Sequence, residues 1–315
     1  MRRTEEGTLA DELHLSPGQR RYALQAVRRV VEADGAPVGE RSLTLLEVVG
    51  GALGLDASER AVGDPVDVPD DLRRAFVDLL VVAACIEGDV TRARQTAVER
   101  AARDLGVRSP WVDLLGALRR RRVFAVKRAL MTRSPDARRL FARLWEEDGA
   151  LGLLRALRFA LGLHRDAPLA ARYRALADQP PGSLGRAFSE HFASRKLAFP
   201  GERGGMPEGM IHHDLMHVLN GFDTDPAGEC ELAGFYAGFA DGEAFTFIVI
   251  ALATFHLGLQ VSPSVVQSSR GAFDPARVLA AFRRGRRIRV DVMGRWDYWA
   301  LMPLPIERAR ATLGG

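Results

Sequence analysis

Cysteine, lysine and long apolar runs are all scarce in this chain. Two cysteines, Cys85 and Cys230, cannot build a disulfide framework. That excludes a small secreted scaffold and points to a reducing compartment, read here as the cytoplasm. Only Lys127 and Lys196 are lysines, and every other basic residue is arginine, a skew that fits genome composition better than function. The longest apolar stretch, Ala244 to Leu259, is interrupted by His256 and is shorter than the ~20 residues a membrane span needs. It reads as a core helix, or as one face of a helix lying on a membrane surface. The first eighteen residues are too polar for a secretory signal. No aromatic series is interleaved with the basic runs to stack bases, so nucleic acid is not an expected partner.

Helical periodicity fills the space these absences leave. Apolar residues recur at three and four through 22–31, 43–53, 72–86, 91–105 and 111–131, and alternating strands are nearly absent. The expected fold is all-α, with two helical domains and no substantial β-sheet. A flexible tail is expected over 1–18, a first helical domain with linker helices over 19–167, and a second over 168–315, beginning where Asp166-Ala167-Pro168 breaks the preceding helix. The basic run Arg119–Arg122, with Lys127 and Arg128, reads as a solvated face. Residues 145–163 read as a connecting helix or one resting on a membrane surface.

Within the first domain, VVEADGAPVGERSLTLLEVVGGALGL aligns with VAACIEGDVTRARQTAVERAARDLGV, and Gly35 falls on Gly88. Each unit is helix, acidic-Gly turn, helix, Leu-Gly stop. Asp34, Glu40, Glu87 and Asp89 are placed to cap the helices that follow, with cation binding the rarer use of such turns.

The chemistry concentrates in Ile211-His212-His213-Asp214-Leu215-Met216-His217. Three of the seven histidines fall in six positions. His213 and His217 stand four apart, on one face of a helix, and Asp214 falls in the same sector. Asn220-Gly221 stops this helix. Asp225-Pro226 starts another, so Glu229 lies in its first turns and folds back toward the histidines. Two imidazoles and two carboxylates from His213, Asp214, His217 and Glu229 suit a divalent ion such as Zn²⁺. His212 points away and reads as a neighbour of the site. Arg283, Arg284, Arg286, Arg287 and Arg289 form a basic segment that could hold an anionic head group or equally be a solvated loop.

Three blocks, in order, carry a resemblance: Gly182-Ser183-Leu184-Gly185-Arg186 with the helix after it, His213-Asp214-x-x-His217 followed by eleven residues and Glu229, and Trp296-Asp297-Tyr298-Trp299 with the Arg310-Ala-Thr-Leu-Gly ending. Residues 170–315 resemble the Coq-four-like family of ubiquinone (coenzyme Q) biosynthesis. The repeat over 20–110 resembles the TerB-like helical domain, whose halves each carry an Asp-Gly turn. The first resemblance implies a divalent metal, usually taken as zinc, a channel for a polyprenyl lipid, peripheral membrane association at the inner face, and homodimers. It also implies a role as an oxidative decarboxylase of a polyprenyl aromatic acid or as a scaffold of quinone assembly. The N-terminal half and His212 depart from that family's pattern.

Four protein ligands would fill a tetrahedral ion, the usual arrangement of a structural site. An enzyme and a lipid-binding scaffold with a structural metal therefore both remain open, and no catalytic residue is assigned. A third reading is a His-Asp phosphohydrolase, with His191 upstream and Asp241 downstream as the further ligands. A zinc peptidase is disfavoured because Asp214 stands where that chemistry needs Glu.

Overall fold

The computed structural model describes residues 8–60, 68–133, 165–239, 244–261, 268–293 and 296–314. The 145–163 stretch and Asp241 lie outside them. The protein is all-α: fourteen α-helices and no strand occur among the described residues. None of these helices is long and apolar enough to cross a membrane.

The chain divides into two compact units, 1–130 with 248–280, and 131–247 with 281–315. The sequence reading ran the second domain unbroken from 168 to 315; here residues 248–280 belong with the N-terminal unit.

The first unit contains α1 (Leu9–Glu12), α2 (Pro17–Val31), α3 (Glu40–Leu53), α4 (Asp70–Cys85), α5 (Arg92–Asp104), α6 (Pro110–Arg119) and most of α7 (Val123–Arg133). The expected tail already holds structure: Thr8 caps α1 in a capping box with Asp11, and Ser16 caps α2 in another with Gln19. The two repeats interlock through their turns. Asp34, in the first acidic-Gly turn, accepts a hydrogen bond from Thr91 and pairs with Arg94 Nε at 2.9 Å, both at the start of α5. Glu87, in the second turn, accepts from Ser42 N at 2.9 Å and Ser42 Oγ at 2.6 Å, in the first turn of α3. Glu87 thus caps the second helix of the first repeat, and Asp34 holds the cap residue and first turn of the second helix of the other, where the sequence suggested capping of the helix that follows. A Cβ at Gly39 would meet Glu87 Oε1 at 2.5 Å, so a larger residue there would displace the carboxylate that holds Ser42.

His256 explains why 248–280 joins this unit. It ends a π-helical turn, Leu252–His256, that follows α12 (Phe245–Ala251). Its Nε2 lies 2.8 Å from Ile86 O, and its Nδ1 accepts from Phe273 N at 3.2 Å. Arg121 adds Nη1–Leu257 O and Nη2–Gly258 O, each 3.0 Å, and Arg119 donates to Gln95 at 3.0 Å. Two members of the basic run are thus spent on internal contacts.

The second unit contains α8 (Ala167–Arg174), α9 (Leu184–Arg195), α10 (His212–Asn220), α11 (Pro226–Phe239), α14 (Ile306–Thr312) and the C-terminal part of α13 (Pro275–Gly285). Tyr173, Leu184, Phe188, Phe192, Ile211, Leu215, Leu219, Phe235 and Val292 form its core. The 182–186 turn pairs with the C-terminal segment, Leu184 N to Leu304 O and Gly185 N to Met302 O, each 2.8 Å. Arg310 Nε then reaches Leu219 O at 2.7 Å, near the end of α10. The three sequence blocks are therefore neighbours around one core. The Gly-rich loop before α10 is tied at Glu208, whose Oε1 accepts from Tyr298 OH at 2.8 Å, Trp299 Nε1 at 3.2 Å and Tyr173 OH at 3.2 Å.

Candidate metal centre

The local sequence sets the geometry as expected. α10 runs from His212 to Asn220 and stops at Gly221, whose φ of 66° is the left-handed conformation that glycine supplies most readily. Asp225 Oδ1 accepts from Gly228 N at 2.7 Å and Pro226 opens α11. Gly228 is required at this turn, because a Cβ would stand 1.8 Å from Asp223 O. The tight turn brings Glu229 back over α10.

Glu229 straddles the two imidazoles. Its Oε2 lies 3.3 Å from His213 Nε2, and its Oε1 lies 3.3 Å from His217 Nε2. The three residues offer donor atoms all within 4.8 Å of one another. Donors bound about 2.0–2.1 Å from a tetrahedral zinc ion lie about 3.3–3.4 Å apart; each imidazole stands at about that distance from a different Glu229 oxygen. The site grades from core to solvent: the side chain of His217 is 0% exposed, that of Glu229 21% and that of His213 42%.

The orientation of His217 is the telling detail. Its Nδ1 lies 3.2 Å from Phe222 O. A carbonyl only accepts, so Nδ1 carries a proton and the lone pair of the neutral ring is left on Nε2. Nε2 is buried without a hydrogen-bond partner, out of line with the carboxylate beside it. Two electron-rich groups facing each other in a buried place need a cation between them, a proton or a metal ion. Burial alone would raise the Glu229 pKa; with protonated His213 and His217 beside it the carboxyl is pulled down to about 2, so without a metal the imidazoles' protons fill the place of the cation. A metal ion would displace those protons, because it binds the carboxylate and the neutral imidazoles. The donor set, borderline nitrogen plus hard oxygen, fits a divalent metal ion.

Asp214 is not brought into this set. Its Oδ1 lies 3.1 Å from His191 Nε2, and both side chains are buried. The His191 ring stacks against that of His217 at 6.2 Å between centroids. Asp214 Oδ2 is buried with no hydrogen-bond partner. Burial pushes the Asp214 pKa upward, but His191 and His213 prevail and hold it below the usual range. The structure therefore shows a three-residue cluster backed by an Asp214–His191 pair, where the sequence suggested four ligands. His191, weighed in the sequence only as a phosphohydrolase ligand, comes in from α9, and nothing in its Phe188-Ser189-Glu190-His191-Phe192 context announces the partner. His212 stays out of the cluster, with Nδ1 3.2 Å from Gly209 O and its ring edge-on to Tyr236.

Of the arginines read as head-group candidates, Arg284 has a local task. Nη1 donates to Asn220 O at 3.3 Å and the guanidinium lies 4.3 Å from the centre of the Phe222 ring. Together with Arg310 it answers the carbonyls at the end of α10, where positive charge is favourable. Arg286 and Arg287 are exposed, and Arg283 is half-buried.

A scan of the chain against protein-family models finds no match, and a search of curated proteins likewise finds none.

Proposed function

We propose that this protein binds one divalent ion, zinc by preference, through His213, His217 and Glu229, and uses that site on a polyprenyl aromatic acid of quinone synthesis. The observation that carries the metal reading is the buried, partnerless Nε2 of His217 facing the Glu229 carboxylate. The quinone assignment rests on the three sequence blocks, supported by their convergence on one core. Three protein donors leave room for a water or a substrate oxygen, which favours an enzyme over a scaffold whose metal is purely structural. A bound ion would supply Lewis acidity toward a carboxylate or phenolate. His213 is the donor nearest solvent, so substrate would approach from its side, while Asp214 and His191 brace the rings from within. The proposal includes the inner membrane face as the place of action, Arg286 and Arg287 as contacts for an anionic head group, and a homodimer as the working form.

The test is to extract lipid from the purified protein, identify it by mass spectrometry, and assay the metal-loaded protein for CO₂ release from a polyprenyl hydroxybenzoate. Bound polyprenyl species with metal-dependent turnover support the enzyme. Bound lipid without turnover, in a protein that melts when the metal is removed, supports the scaffold. A second reading, a His-Asp phosphohydrolase, is favoured by the meeting of His191 with Asp214. Metal-dependent hydrolysis of phosphate esters, with no polyprenyl lipid bound, would select it.

A further inference from the structure

The N-terminal unit carries a groove of about 960 Å³ between α2 and α5. These helices run antiparallel: Arg94, near the start of α5, reaches Val31 O at the end of α2, while Tyr22, near the start of α2, feels the charge of Asp104 at the end of α5. The floor is made of small side chains, Ala26 and Val30 on α2 with Ala33 in the turn just past its end, and Ala93, Ala97 and Ala101 on α5. The alanines are half-buried and Val30 is buried. Along α5, from Arg92 to Asp104, it spans about three turns, about 18 Å.

Its rims are basic. Arg29 borders it on α2, and Arg92 and Arg100 border it on α5, against a single acid, Asp104. Arg100 stands 3.9 Å from Asp104. Arg29 and Arg92 are exposed and pair with no carboxylate among the described residues.

We infer that this groove docks an acidic amphipathic helix, about three turns long, from a partner protein. Small floor residues let a third helix approach to the 8–10 Å axis spacing of packed helices, and its apolar face would cover the alanine methyls. The distribution of charge selects a helix over a lipid. Arg92 and Arg100 are eight residues and about 12 Å apart along α5, with Arg29 on the facing wall. A single lipid carries its negative charge at one end, whereas a helix with acids repeated every one or two turns meets all three arginines at once. Groove recognition of this kind reads anchors at three- and four-residue spacing.

The experiment pans a phage-displayed library of helical peptides against the full chain, with Ala97→Trp, which fills the groove, as the counter-target. Thermal melting shows whether the variant is folded, and Thr96→Trp on the same rim replaces it if it is not. The expected result is enrichment of peptides with acids at one- or two-turn spacing beside a small apolar face. Their binding should fall about tenfold or more in Arg92→Glu/Arg100→Glu and weaken with salt. Vesicles of phosphatidylcholine with phosphatidylglycerol are tested in parallel. No enrichment over the filled variant, enrichment of basic or neutral helices, or vesicle binding that is lost with the same substitutions would overturn the inference.

Discussion

His217 and His256 are both fully buried imidazoles on apolar helical stretches, and only one of them is placed to bind a metal. His256 uses both nitrogens, Nδ1 accepting from Phe273 N and Nε2 donating to Ile86 O. It is a neutral, satisfied pin that holds 248–280 to the second acidic-Gly turn. His217 uses one nitrogen to fix its tautomer and leaves the other beside a carboxylate, without a hydrogen bond. Burial does not separate a structural histidine from a ligand; the state of the second nitrogen does.

Breaking each residue in turn should give opposite outcomes. His217→Ala should weaken zinc binding by more than the roughly 10–100-fold that loss of an outer partner costs, measured by competition with a chromophoric chelator. His256→Ala should leave zinc affinity unchanged but lower stability by about 2–4 kcal/mol in urea unfolding, because it leaves the Ile86 carbonyl and the Phe273 amide unpaired and opens a cavity. If the two phenotypes were exchanged, the distinction would be wrong.

Asp214→Asn sharpens the comparison inside the site. If Asp214 acts only through His191, the loss of zinc affinity should stay within about 10–100-fold. A loss equal to that of His217→Ala would make Asp214 a direct ligand and restore the four-donor reading.

Acid offers a gentler probe of His256. Burial, the largest influence, and Arg41 lower its folded pKa below 6.5. The folded state thus holds fewer protons on this ring than the unfolded chain does. Its contribution is fully present above about pH 6.5 and is lost as pH falls below that value, by at most about 1.4 kcal/mol per pH unit. The stability difference between wild type and His256→Gln should shrink over that window; a difference that grows with acid would contradict the sign. The smallest effect is expected from Arg310→Ala, which removes a donor to Leu219 O and should cost about 1 kcal/mol, read as a small shift of the melting curve.

Local signals were legible in the sequence, and partners across the chain were not. The His213/His217 spacing, the Asn220-Gly221 stop and the Asp225-Pro226 start were enough to place Glu229 over α10, because each is decided within one or two turns. The side chain of Asp214 shares the sector of the ligands on a helical wheel, but α9 presents His191 to it, and no spacing rule reaches across 23 residues. The same limit hid the crossed contacts of Asp34 and Glu87, which the repeat itself suggested as uncrossed caps. It also hid the return of 248–280 to the first unit, which depends on one imidazole that reads in sequence as an interruption of an apolar run.

The measurement that tests the metal centre most directly is elemental analysis of the purified chain after zinc loading and gel filtration, beside His217→Ala treated identically. The proposed metal reading predicts about one zinc per chain in the wild type and none retained in the variant. A wild type that emerges without metal, or a variant that keeps it, would show that His213, His217 and Glu229 are only a packed and protonated cluster.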